Sequence, residues 1–191
     1  MHGGIVDTTR PAMLDDHGAP APGTLAGDLT TMATPAHHAG FSPDDERHMR
    51  EAIVASRTAR ARGDMPFGAV LVRDGQALLT AMNNQNTAQD CTGHAETVLV
   101  RQAEQRLGRE ALRGATVYAS GEPCAMCAGA MFWAGITRIV YGASVPDMEA
   151  RLGGPSMGQR CADVLAACQP SVQVEGPLLR EEAIAAFGDG A

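Results

Sequence analysis

The sequence predicts a three-layer α/β domain, with helices packed on both faces of a mixed five-stranded sheet. Three observations lead there. Asp74-Gly75 stands between two apolar runs, the pairing that makes a tight antiparallel hairpin. From 115 to 142 a strand, a helix and a second strand follow in turn, the pattern that returns a parallel neighbour by a right-handed crossover. Segments of helical spacing flank both units, and a partly parallel sheet needs such cover on each face. At 191 residues the chain fits one domain of ordinary size.

Residues 1–41 are rich in Gly, Pro, Thr, Ala and His and lack apolar periodicity, which predicts a disordered tail. His37 and His38 within it read as a solvated pair. The domain is expected over 42–191. Ser42 can cap a first helix, Pro43 suits its first position, and Asp44 and Asp45 face its positive dipole end. That helix runs to about Arg62, with Met49 and Ile53 on the buried stripe and arginines on other faces. Strands are predicted over 67–72 and 76–82, and the polar stretch 83–93 reads as a loop. Ala95, Val98, Leu99, Ala103 and Leu107 then repeat at helical spacing up to Gly108. A short buried strand at 115–119, a helix at 124–134 stopped by Gly135, and a strand at 137–142 follow. Beyond them come a Gly/Pro-rich loop, a helix near 159–167, a strand at 172–175 and a helix at 178–187, with no internal repeat.

All 15 basic residues are arginine and 22 residues are acidic, for a net charge of −7. That balance opposes a general attraction to a phosphate backbone, so nucleic acid is a disfavoured partner. Arg57, Arg60 and Arg62 read as a solvated helix face. Five cysteines, no basic-then-apolar signal segment at the N-terminus and no apolar run near about 20 residues predict a cytoplasmic protein with reduced thiols and no membrane span.

The chemistry concentrates in Thr92-Gly93-His94-Ala95-Glu96 and Glu122-Pro123-Cys124-Ala125-Met126-Cys127, both at predicted helix starts. Cys124 and Cys127, three apart, project from one side of a first turn where the dipole favours thiolates. Such a pair is a metal clamp or a redox couple. The reducing compartment, a histidine opening another helix, and zinc's acceptance of mixed sulfur and nitrogen donors favour metal. Structural zinc takes four protein ligands, whereas His94, Cys124 and Cys127 make three, the arrangement of a catalytic site. Cys91, close before His94, is the alternative fourth ligand. Glu96 supplies the remaining need, a group that takes a proton from water and hands it to the leaving amine. It can do so if His94 sits at the helix entrance, since in mid-helix the two would face different ways. A plain N-terminal acid is its competing reading.

His-Ala-Glu followed by Pro-Cys-Ala-Met-Cys resembles the signature of the cytidine deaminase-like zinc deaminases. The likeness runs from about Met65 to Ala143 and includes Pro66-Phe67-Gly68-Ala69-Val70, Asn83-Asn84 and Ala128-Gly129-Ala130-Met131. It implies a cytidine deaminase-like fold, one zinc per chain and hydrolytic deamination of a nucleobase-like ring, with Glu96 as proton shuttle. Within the family the chain is most similar to the guanine and tRNA adenosine deaminase branch. Phe67 resembles the guanine enzymes, and so does the Phe132-Trp133 pair. The resemblance therefore implies substrate contacts at Asn83, Phe67, Ala95 and Trp133, against core packing for the aromatics and turn capping for Asn83. It implies a small-molecule substrate and a homodimer. The C-terminal match fails, because neither Phe187 nor Asp189 stands in a matching position. Guanine, another amino-purine or its nucleoside, a pterin and an aminotriazine all fit. Alternatives are wobble-adenosine deamination of tRNA, cytosine or cytidine deamination, and a zinc-stabilised binding module without turnover.

Overall fold

The computed structural model describes residues 40–188; the expected tail up to residue 39, with His37 and His38, and Asp189 lie outside the described residues. Helix α1 (Pro43–Ala61) starts as its sequence demands. The Asp45 N–H donates to Ser42 Oγ at 3.1 Å and the Ser42 N–H donates to Asp45 Oδ2 at 2.8 Å, a capping box worth about 1 kcal/mol. Phe41, expected in the tail, packs half-buried beside this helix's core.

Strands β1 (Gly68–Arg73) and β2 (Gln76–Met82) form the expected hairpin. Asp74 at φ 52° and Gly75 at φ 76° give the turn positive φ at both positions, matching the right-handed twist of the strands. At Gly68 an added Cβ would stand 2.3 Å from the Ala52 carbonyl oxygen, so the absent side chain lets α1 lie directly on β1. The stretch 83–93 holds one turn of helix, α2 (Gln85–Ala88), where a plain loop was expected. Its cap is non-local: the Asp64 carboxylate accepts the Asn86 and Thr87 N–H groups, both at 2.9 Å. Helix α3 (Ala95–Leu107) and a 3₁₀ turn (Arg109–Ala111) lead to β3 (Thr116–Gly121). Helix α4 (Ala125–Ala134) ends at Gly135, whose φ of 84° is the left-handed conformation a helix stop uses, and β4 (Arg138–Ala143) follows.

The Gly/Pro-rich stretch departs from expectation, since it opens with α5 (Val145–Leu152). Ser144 and Asp147 close a capping box around Pro146, repeating the device that starts α1. Helix α6 (Cys161–Leu165) is shorter than predicted, and β5 (Gln173–Glu175) and α7 (Arg180–Ala186) complete the chain. Leu178 and Leu179, expected in the last helix, precede it as buried anchors, with Leu179 at φ 55°.

The sheet order is β2-β1-β3-β4-β5. Strand β1 is antiparallel to both neighbours, whereas β3, β4 and β5 run parallel. Successive side chains point to opposite faces and build two cores. Ala69, Leu71, Val117 and Ile139 meet Leu99 of α3, Met131 of α4 and Leu165 of α6. Val70, Val72, Tyr118 and Val140 meet Met49 and Ile53 of α1 and Ala183 of α7. Arg138 ties α1 to the second face: its guanidinium donates to Asp45 and Glu175, each at 2.6 Å. Burial opposes the Asp45 charge, but hydrogen bonds from Arg138, Tyr118 and Ser42 outweigh it and hold the carboxyl well below the usual range.

Register sets where function can lie. Gly68 pairs with Met82, and Gly121 with Ala143. With β1 antiparallel to β3, residues Phe67, Asn83, Glu122 and Ser144 all leave the sheet at one end, the carboxyl end of the parallel strands. Open α/β sheets bind ligands at that end. No helix among the described residues is long and apolar enough to cross a membrane.

Candidate active site

Both sequence segments arrive at this end of the sheet through helix entrances. His94 is the N-cap of α3, with extended backbone at φ −65° and ψ 147°. Cys124 is the N-cap of α4, at φ −70° and ψ 172°. Neither side chain caps its own helix, so both turn toward each other. Cys127, one turn into α4, is fully buried. Cys124 Sγ lies 3.6 Å from His94 Nδ1 and 3.7 Å from Cys127 Sγ, and the donor atoms of all three fall within 4.8 Å of one another. Tetrahedral zinc, with bonds of about 2.3 Å to sulfur and about 2.0–2.1 Å to nitrogen, spaces two sulfurs by about 3.8 Å and a sulfur and a nitrogen by about 3.5 Å. The residues present therefore fit zinc in identity and spacing. Among the described residues this is the one group of His, Cys, Asp or Glu donors with such geometry; exposed Cys91 and buried Cys161 stay outside it. Three donors match the catalytic rather than the structural pattern.

Electrostatics follow from this crowding. The Cys127 thiol beside it, against the opposing effect of burial and with His94 helping, brings Cys124 down to about 4. Cys127 moves upward because of Cys124 next to it, its burial and the nearby Glu96 carboxylate. His94 is raised by its contact with Cys124. Glu96, in the first turn of α3 and only 7% exposed, is raised chiefly by burial. A carboxyl so placed can hold a proton and release it, which a solvent-exposed N-terminal acid does poorly at neutral pH.

The other candidates divide. Ala95 is buried as the first residue of α3. Asn83 is buried at the end of β2, and its amide serves the turn: Nδ2 donates to Gln85 Oε1 at 2.8 Å while Oδ1 accepts the Gln85 N–H at 3.0 Å. Phe67 is half-buried, with its ring edge-on to Phe187 at 5.5 Å and its carbonyl accepting the Asn83 N–H at 2.9 Å. Phe187, the final aromatic, thus reaches Phe67 although it stands in no position that the family resemblance matched. Trp133 stands 82% exposed against Phe132 and does not join the buried group.

Sequence reasoning gave no role to Glu122, Arg160 and Met148. The Glu122 carboxylate is almost wholly buried and receives Arg160, while Met148 of α5 approaches Gly121 beside Phe67. Only the acid directly before Pro123 was a signal; its partner lies 38 residues away.

Comparison with known proteins points the same way. Residues 42–143 match the sequence profile of the cytidine and deoxycytidylate deaminase zinc-binding region. A probable cytosine deaminase of Schizosaccharomyces pombe is 36% identical over 148 residues, 75% of this chain and 90% of that one. A guanine deaminase of Bacillus subtilis is 43% identical over 82 residues, 43% of this chain and 53% of its own length. A structure from work on A-to-I editing by tRNA:A34 deaminases at the wobble position superposes with a TM-score of 0.62 at 35% identity, covering 73% of this chain and 98% of that one.

Proposed function

Since the chain belongs to the cytidine and deoxycytidylate deaminase family, we propose that it is a zinc-dependent aminohydrolase acting on a small nucleobase-like ring, guanine or a related amino-purine. The observation that carries hydrolytic deamination is the buried Glu96 carboxyl two residues beyond His94, beside three donors that fit zinc. His94, Cys124 and Cys127 hold the ion. Bound there, zinc supplies the Lewis acidity that makes water a nucleophile near neutral pH. Glu96 would pass the first proton of the attacking water to the ring nitrogen as the hydroxyl adds to the ring carbon, then carry that hydroxyl's proton to the amine, which leaves as ammonia while the ring carbonyl forms. The extended backbone at both helix caps keeps the donor side chains facing each other, so little reorganisation accompanies reaction. Asn83 reads an edge of the ring once Gln85 yields its amide, and Phe67 presses on the ring's face.

A free base rather than RNA is supported by the net charge of −7 and by the guanine deaminase relative. A second reading, cytosine, is favoured by the S. pombe relative, whose likeness spans three quarters of the chain. Homodimer formation and a cytoplasmic location complete the proposal. The test is ammonia release by zinc-loaded protein from guanine, adenine, other amino-purines and their nucleosides, cytosine, cytidine, a pterin, an aminotriazine and an anticodon stem-loop. Release from an amino-purine is expected. Silence on every amino-purine removes the first reading, and turnover of cytosine alone installs the second. Steeply salt-dependent activity on the stem-loop would install RNA as the substrate.

A further inference from the structure

At the end of the sheet that carries the metal donors, three helix entrances converge around one carboxylate. Glu122 ends β3's path and precedes Pro123-Cys124 at the entrance of α4. Its Oε2 accepts the Val145 N–H at 3.0 Å, at the entrance of α5. Its Oε1 accepts the Cys161 N–H at 2.9 Å, at the entrance of α6. Arg160 Nε donates to both oxygens, at 2.9 and 2.8 Å, and the same guanidinium donates to Tyr141 Oη at 3.2 Å. The Glu122 side chain is 1% exposed, so every one of these bonds is made out of water. A charge buried that deeply is costly unless fully partnered, and here all its acceptor directions are filled from segments distant in sequence.

What the carboxylate holds is the stretch from α5 to α6. Met148 of α5 comes close to Gly121: a Cβ built there would stand 2.6 Å from Met148 Sδ and 2.9 Å from the Phe67 ring. Gly121 is therefore the notch into which Met148 and Phe67 both reach, next to Glu122 in the chain. Helix α6 packs on α4 in the same core as Cys127 and Met131. We infer that Glu122 is a positioning residue, which gathers the starts of α5 and α6 so that Met148 stands beside Phe67 as a wall of the substrate crevice. This rests on the deaminase reading of the site. It assigns to Glu122 the width of the crevice, leaving proton transfer to Glu96.

The isosteric change Glu122→Gln tests it. Glutamine keeps one acceptor oxygen but turns an N–H₂ toward a backbone N–H or toward Arg160, so the clamp opens. Amide hydrogen exchange over 145–161 should speed up at least about tenfold relative to α1 and β1, a change that needs no substrate. In the zinc-loaded protein, KM for the base identified by ammonia release should rise about tenfold or more, with kcat within about threefold and zinc content unchanged. Arg160→Gln, which leaves Glu122 its two backbone donors, should move both readouts the same way by less, and serves if the first variant does not fold. Exchange unchanged over 145–161 would overturn the inference, as would a fall in kcat at constant KM. If wild-type protein releases no ammonia from any base, the deaminase reading fails separately, and the exchange result still decides whether Glu122 is the clamp.

Discussion

Glu96→Gln is the change that separates chemistry from scaffolding. Glutamine matches glutamate in volume, and the position is only 7% exposed, so the first turn of α3 keeps its packing. The variant loses the ability to take a proton from water and give it back. One positioned acid–base group contributes about 10²- to 10⁴-fold, or about 3–5.5 kcal/mol of barrier at 1.36 kcal/mol per tenfold. Because Glu96 serves both the uptake and the delivery, the upper end applies. Stability should respond in the opposite sense. Burial raises the folded Glu96 pKa, so the ionised carboxylate opposes folding once pH exceeds its unfolded value. A neutral isostere removes that cost, and the melting temperature should hold or rise while activity collapses. The assay is steady-state ammonia release by wild type and variant at equal zinc content, with thermal unfolding of both. A variant within tenfold of wild-type kcat at full metal loading would refute the role given to Glu96, and retained ligand binding without turnover in both would favour a non-catalytic module.

Two further predictions concern the scaffold. Hydrogen bonding from Arg180, opposed by burial and helped by Ser144, lowers Asp147 to about 2, so its contribution is complete above about pH 4 and is lost as pH falls through about 2. The full shift is worth about 2.4 kcal/mol; with Arg180 47% exposed, screening reduces it to about 1. Asp147→Asn should flatten the acid limb of a stability–pH curve by that amount, and an unchanged limb would show that the pair does not contribute. Gly68→Ala would place a methyl carbon 2.3 Å from the Ala52 carbonyl oxygen and 2.6 Å from the Ser56 nitrogen, backbone atoms that cannot rotate aside. A loss of about 3 kcal/mol in denaturant unfolding is expected, and one below about 1 would mean that α1 yields easily.

What the sequence made legible, and what it hid, follows from the range of the interactions. Local rules sufficed for Ser42-Pro43-Asp44-Asp45, for the Asp74-Gly75 turn and for Gly135, since each residue acts on backbone within four positions. The same cap recurs at Ser144-Val145-Pro146-Asp147, yet α5 was hidden because Gly153, Gly154 and Pro155 dominate the composition just beyond its two turns. Helix α2 could not be read locally at all, because its cap is Asp64, more than twenty residues upstream. The donors were legible through their place at helix starts, where side chains leave the helix freely. Trp133 stands apart from the donors for the converse reason: at about 100° per residue, six positions turn it about 120° away from Cys127, toward solvent. Glu122 sat inside the most informative motif, but its partners Arg160 and Cys161 lie 38 and 39 residues further along the chain.

The central claim is that His94, Cys124 and Cys127 share one ion. Metal analysis joined to zinc-edge X-ray absorption, on protein prepared without chelator, tests it most directly. About one zinc per chain is predicted, with two sulfurs at about 2.3 Å and nitrogen or oxygen neighbours at about 2.0–2.1 Å. Protein without bound metal, a four-sulfur shell, or a disulfide joining Cys124 to Cys127 would contradict it.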